Sequence, residues 1–193
     1  LGGSQGAHSI NIAMVEALGL LSDRKERLHI THQTGEADYE VAKNTYNKKG
    51  FSAEVLPFIK NMPARYRLAS LVICRSGATT LAEVTAAGKV SVLIPFPRAT
   101  HNHQEHNARV IEAANAGELV LDNELSGERL VKSIKKAMDE PEHIQVMENN
   151  SYSLGNRDAT EKVRKICIEL IENTRKTSGN GSQPKGKYVL SCF

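Results

Sequence analysis

Residues Leu71–Gly88 read LVICRSGATTLAEVTAAG, and the hydrophobic period of this stretch changes halfway along it. Leu71, Val72, Ile73 and Cys74 form a short apolar run of strand type. Arg75-Ser76-Gly77 breaks the run, and from Ala78 to Ala87 the apolar positions Leu81, Val84 and Thr85 recur at helical spacing. A buried strand that enters a helix through a glycine loop is a unit of an open α/β sheet. Its loop lies at the strand's carboxyl end, where backbone N–H groups and the helix dipole favour an anionic ligand. Thr79, Thr80 and Glu83 fall in the first turns of that helix. Thr80-Leu81-Ala82-Glu83 also fits a T-x-x-E capping box, so Glu83 has two readings, helix cap and ligand contact.

The pattern on either side repeats this unit. Gly2-Gly3-Ser4-Gln5-Gly6-Ala7 is a glycine loop that leads into a helix from Ala7 to Leu21, and Ser4 adds a hydroxyl that can donate to a phosphate. Leu1 is not a methionine and no strand feeds this loop, so the sequence reads as part of a longer protein, cut at the last residue of its first strand. Strands are expected over 27–34, 52–58, 90–96 and 119–121, and helices over 37–49, from Met62 behind an Asn61 cap, over 102–116 and over 126–139. Strands that alternate with helices predict an α/β fold, a Rossmann-like open parallel sheet with helices on both faces. Beyond Asp139 only helices are expected, the last opened by Asp158-x-x-Glu161, which resembles a second capping box. From Thr177 the composition is linker-like, so the domain is expected over 1–176 and a disordered tail over 177–193.

Composition narrows the function classes. The 193 residues are 40% hydrophobic and 24% charged, as in an ordinary globular domain. Lys and Arg number 25 against 22 Asp and Glu, and aromatic residues make up 5%, which argues against nucleic acid as a partner. Cys74, Cys167 and Cys192 are far apart and odd in number, the pattern of a reduced, cytoplasmic chain without a disulfide framework or a Cys metal site. No apolar run approaches the roughly 18 residues needed to span a bilayer.

A third chemical stretch is Pro95–Asn107, PFPRATHNHQEHN. His101, His103 and His106 raise a zinc reading, but no Cys or H-E-x-x-H pattern accompanies them. A polar loop after a strand suits an uncharged polyol better, and the amides of Gln104 and Asn107 both donate and accept toward sugar hydroxyls.

Taken in order, GGSQGA, PFIKNM, CRSGATTLAE and PFPRATHNHQEHNA resemble the carboxy-terminal half of the peptidoglycan N-acetylglucosaminyltransferases, glycosyltransferase family 28 of the GT-B architecture. The resemblance covers residues 1 to about 176 and implies the domain that binds UDP-N-acetylglucosamine. By position, Ser4 would meet the diphosphate and Ile59 the uracil through its backbone. Ala78, Thr79, Thr80, Leu81, Ala82 and Glu83 would wrap phosphate and ribose, and Gln104 would hold the sugar. Where the family often has a second glutamine, this sequence has His103.

The resemblance further implies an inverting transfer of GlcNAc to an undecaprenyl-diphosphate-linked muramyl pentapeptide, on the cytoplasmic face of the bacterial membrane. Acceptor binding, the catalytic base and the peripheral membrane contact would belong to an amino-terminal domain outside these residues. This chain by itself is therefore expected to be inactive. No D-x-D pair for a metal occurs, and no cofactor is expected. Two other readings stay open: a UDP-sugar 2-epimerase of the same architecture, and a non-catalytic UDP-sugar-binding subunit that works with a separate chain.

Overall fold

The computed structural model describes residues 6–99 and 102–177. Its contacts divide the chain into two compact units, Leu1–Gly155 and Asn156–Phe193. In the first unit, helix α1 (His8–Leu20) is followed by strand β1 (His29–Gln33), α2 (Tyr39–Lys49), β2 (Ser52–Leu56), α3 (Met62–Leu68), β3 (Val72–Cys74) and α4 (Ala78–Ala86). Then come β4 (Ser91–Leu93), α5 (His103–Ala113), β5 (Gly117–Leu119), α6 (Gly127–Asp139) and α7 (Pro141–Leu154). The alternation expected from the sequence is present, and all ladders are parallel.

Single residues set several boundaries. Asn61 accepts from the Ala64 amide at 3.3 Å, with Pro63 in the first turn of α3. Ser126 caps α6 by accepting from the Arg129 amide at 3.1 Å. Two expectations need correction. The fifth strand runs over Gly117–Leu119, two residues before the expected 119–121, because Asn115 ends the preceding helix at φ 50 and frees Gly117 to pair with Ser91. The Thr80–Glu83 capping box does not form either: α4 starts at Ala78 behind Gly77, so Thr80 is already inside the helix.

The strands separate two apolar layers. Successive side chains of a strand point to opposite faces. Val92 and Ile94 therefore join Ala17, Leu18, Leu130 and Ile134 of α1 and α6, while Leu93 joins Tyr66, Val72, Cys74, Leu81 and Ala108 on the other side. Contact between α1 and α6 is close: a Cβ at Gly127 would come within 2.6 Å of Glu16 Cβ, and Glu16 Oε2 accepts from the Gly127 amide at 3.1 Å. Helices thus cover both faces, as expected.

The five strands pair as two ladders, β1–β2 and β3–β4–β5. Among the described residues β1 and β3 share no ladder. Residues of both strands, with Leu28 and Leu71 beside them, line a cavity of ≈ 550 Å³ together with Ile10 and Met14 of α1 and Met62 and Tyr66 of α3.

The second unit is described by α8 (Ala159–Thr177). Glu161, expected in a capping box, pairs instead with Arg164 at 2.7 Å. Val163, Ile166, Ile168 and Leu170 are exposed. Beyond Thr177 the expected tail lies outside the described residues.

Candidate functional site

The parallel ladders bring the carboxyl ends of β1, β2, β3 and β4, and the loops that follow them, to the same edge within each ladder. After β3, the loop Arg75–Gly77 delivers α4. Its N-cap is Gly77, which has no side chain to accept from the first-turn amides, so these N–H groups carry no side-chain cap. Ala78, Thr79, Ala82 and Glu83 are exposed on this helix and Thr80 is half-buried. Leu81 differs from its neighbours: it is 8% exposed and its amide donates to the Gly77 carbonyl, so it packs beneath the surface.

Glu83 Oε2 accepts a hydrogen bond from the Tyr66 hydroxyl at 3.0 Å. Burial pushes the Tyr66 phenol up, and the adjacent carboxylate pushes it further, so it stays protonated and donates. Sequence reasoning did not single out Tyr66, which lies 17 residues away on another helix.

The third stretch folds against this loop. Ser76 is fully buried; its hydroxyl donates to the Gln104 carbonyl at 2.7 Å, and Asn107 Nδ2 donates to the Ser76 carbonyl at 3.1 Å. Gln104 Oε1 accepts from the Phe96 amide at 3.0 Å, which orients the side-chain amide nitrogen away from that bond. Gln104 and Asn107 are half-buried, while His103 is exposed. Ser4 and His101 lie outside the described residues, and among those described no group of three or more His, Cys, Asp or Glu could hold a metal.

Ile59 follows β2 and is 4% exposed. Its amide donates to Gln33 Oε1 at 3.0 Å and is not open to a ligand while that bond holds.

Two networks that the sequence did not announce hold the loops. Arg75 donates to Asp122 Oδ1 at 2.6 Å, to Ser9 Oγ at 2.8 Å and to the Ile94 and Pro95 carbonyls. In the second, His32 meets Tyr46 Oη at 3.1 Å and Asn11 Oδ1 at 2.9 Å, and Asn11 Nδ2 donates to Asp38 and to the Thr34 carbonyl. Because an amide oxygen only accepts, Nε2 of His32 carries the proton and Nδ1 accepts from Tyr46. Burial lowers the His32 pKa from 6.5 to about 4. Burial alone would raise the Asp38 carboxyl, but hydrogen bonds from Asn11 and His8 outweigh it and hold it below its usual value. This network anchors α1 beside Gly6, where a Cβ would come within 2.1 Å of the Thr34 carbonyl oxygen.

Residues 1–169 match the family described as "Glycosyltransferase family 28 C-terminal domain". The UDP-N-acetylglucosamine–N-acetylmuramyl-(pentapeptide) pyrophosphoryl-undecaprenol N-acetylglucosamine transferase of Thermodesulfovibrio yellowstonii is 50% identical over 175 residues, 91% of this chain and 48% of that protein. The protein of the same name from Myxococcus xanthus is 43% identical over 183 residues, 95% of this chain and 48% of that protein. The crystal structure of Acinetobacter baumannii MurG superposes with a TM-score of 0.76 at 30% identity, covering 90% of this chain and 48% of that one. A UDP-N-acetylglucosamine 2-epimerase structure described as putative, from Listeria monocytogenes, reaches a TM-score of 0.58 at 12% identity, over 93% of this chain and 44% of that one, and shares the fold alone. The chain spans about half the length of these relatives. With the family matched over 169 of its 193 residues, this chain belongs to the carboxy-terminal domain family of the family 28 glycosyltransferases.

Proposed function

We propose that this chain binds UDP-N-acetylglucosamine at the carboxyl edge of its strands, as the donor domain of an inverting N-acetylglucosaminyltransferase. One observation carries the reading. On α4 an uncapped N-terminus and the carboxylate of Glu83 share a helix side, since Thr79 and Glu83 are four residues apart and rise about 6 Å along the axis. Amides at one point and a carboxylate one turn on suit a phosphate joined to a ribose: the amides donate to phosphate oxygens, and the carboxylate accepts from ribose hydroxyls.

The remaining roles follow from position. Ser4 and the amides of Ala78, Thr79 and Thr80 take the diphosphate, Ile59 takes the uracil through its carbonyl, and Gln104, flanked by His103 and Asn107, takes the sugar. When the sugar leaves, negative charge builds on the diphosphate, and the α4 dipole with its preoriented amides stabilises that charge. The acceptor is a lipid-linked muramyl pentapeptide, as in the names of the relatives, and is held by an amino-terminal domain that also touches the cytoplasmic face of the membrane. No helix among the described residues is long and apolar enough to cross a membrane.

The cavity between β1 and β3 supports a first strand that precedes the opening glycine loop. Its walls are two strands without a shared ladder, and Gly6 sits beside Thr34, at the carboxyl end of β1. A strand running toward Gly6 would be parallel to both neighbours, as the strand pairs among the described residues are.

Calorimetric titration with UDP, UMP and CDP tests the donor reading. Single-site binding of UDP that weakens sharply for both UMP, which lacks the second phosphate, and CDP, which changes the base edge, is the expected result. Equal affinity for all three, or no binding, overturns it.

A further inference from the structure

We infer that Tyr66 is a positioning residue for the donor nucleotide: its hydroxyl holds one oxygen of Glu83 so that the other is presented to the ribose. The inference rests on the donor reading above and adds a residue to it. Tyr66 is 5% exposed, packed on α3 among Val72, Cys74, Leu81 and Val84, whereas Glu83 is exposed on α4. The hydrogen bond at 3.0 Å thus joins a fixed, buried ring to a solvent-facing carboxylate. An exposed glutamate ordinarily samples many rotamers, and a ligand that needs one of them loses affinity in ordering it. Here the ring sets that rotamer before the ligand arrives.

The geometry also divides the two oxygens. Oε2 accepts from Tyr66, and among the described residues no ion pair and no other hydrogen bond involves the Glu83 side chain. Oε1 is therefore available to accept from ribose hydroxyls. A buried tyrosine hydroxyl usually finds a partner, and the rival role of this contact is to satisfy Tyr66 alone. That role predicts an effect on stability and none on ligand discrimination, which separates the two.

The test combines Tyr66→Phe, Glu83→Gln and the double variant in the full 193-residue chain, titrated with UDP and with 2′,3′-dideoxy-UDP. The ratio of the two affinities is read within one sample, so it is independent of the fraction folded. Tyr66→Phe is expected to weaken UDP by about three- to tenfold, the scale of one hydrogen bond, and to leave dideoxy-UDP unchanged. Glu83→Gln is expected to weaken UDP further, with no added loss in the double variant. An unchanged UDP to dideoxy-UDP ratio in Tyr66→Phe, beside a reduced ratio in Glu83→Gln, overturns the role of Tyr66 and keeps that of Glu83. An unchanged ratio in Glu83→Gln overturns the ribose contact itself and Tyr66's role with it.

Discussion

Arg75 and Asp122 are 47 residues apart, yet Arg75 Nη1 lies 2.6 Å from Asp122 Oδ1, with side chains 13% and 23% exposed. Ser9 closes a triangle with them: its hydroxyl donates to Asp122 Oδ1 and accepts from Arg75 Nη2, both at 2.8 Å. The guanidinium also lies 5.4 Å from the centre of the Phe96 ring. One cation thus ties together the start of α1, the end of β4 and the loop beyond β5.

Removing Asp122 leaves that cation half-buried without its countercharge. Asp122→Ala should therefore destabilise by about 2 to 4 kcal/mol, somewhat less than breaking a fully buried pair. Arg75→Lys should recover little, since an ammonium cannot serve the carboxylate, the hydroxyl and two carbonyls at once. Urea denaturation of the three proteins measures both; a loss under 1 kcal/mol for Asp122→Ala would contradict the account.

The glycine loops differ in what they demand. Gly6 has φ +78 and a Cβ there would meet the Thr34 carbonyl oxygen at 2.1 Å, whereas a Cβ at Gly77 would find nothing closer than 3.9 Å. Gly6→Ala should cost about 2 to 4 kcal/mol through strain and displacement of α1. Gly77→Ala should cost under about 1 kcal/mol, and any larger effect on UDP affinity would mark close approach of the phosphate there. Thermal melts with and without UDP separate the two.

His32 makes stability depend on pH. Its folded pKa of about 4 lies below its ordinary 6.5, so the unfolded chain binds the extra proton between these values. This contribution is complete above pH 6.5 and is lost progressively as pH falls to about 4, for a total of about 3 kcal/mol. His32→Gln should flatten the slope of unfolding free energy over that window while lowering stability at pH 8. An unchanged slope would show that other groups carry it.

The chain alone should not turn over. Incubated with UDP-N-acetylglucosamine and a lipid-linked muramyl acceptor, it is expected to release no UDP above blank. Transfer by this chain would show that acceptor and base sites lie within its own residues.

The sequence made the order of elements legible because period is local: Leu71–Cys74 and Ala78–Ala87 announce strand and helix without reference to the rest. It misplaced β5 because a left-handed asparagine, Asn115, did the work that a glycine was expected to do. The capping-box reading of Glu83 needed Thr80 as the cap and so a helix starting at Leu81, whereas the structure begins that helix three residues earlier, at Ala78 behind Gly77. The loops that meet at the site were legible as loops. Tyr66, Arg75, Asp122 and the Asn11–His32–Asp38 network were not, since their meaning depends on partners 14 to 113 residues away.

The division of the strands into two ladders has a consequence for ligand affinity. Ile59 follows β2 in one ladder and Glu83 follows β3 in the other, so under the proposed donor reading the strand proposed between β1 and β3 would set the spacing of the two contacts. The coupling is reciprocal: a strand that holds β1 and β3 at the spacing the nucleotide needs would tighten the nucleotide, and the nucleotide would stabilise that pairing by the same free energy.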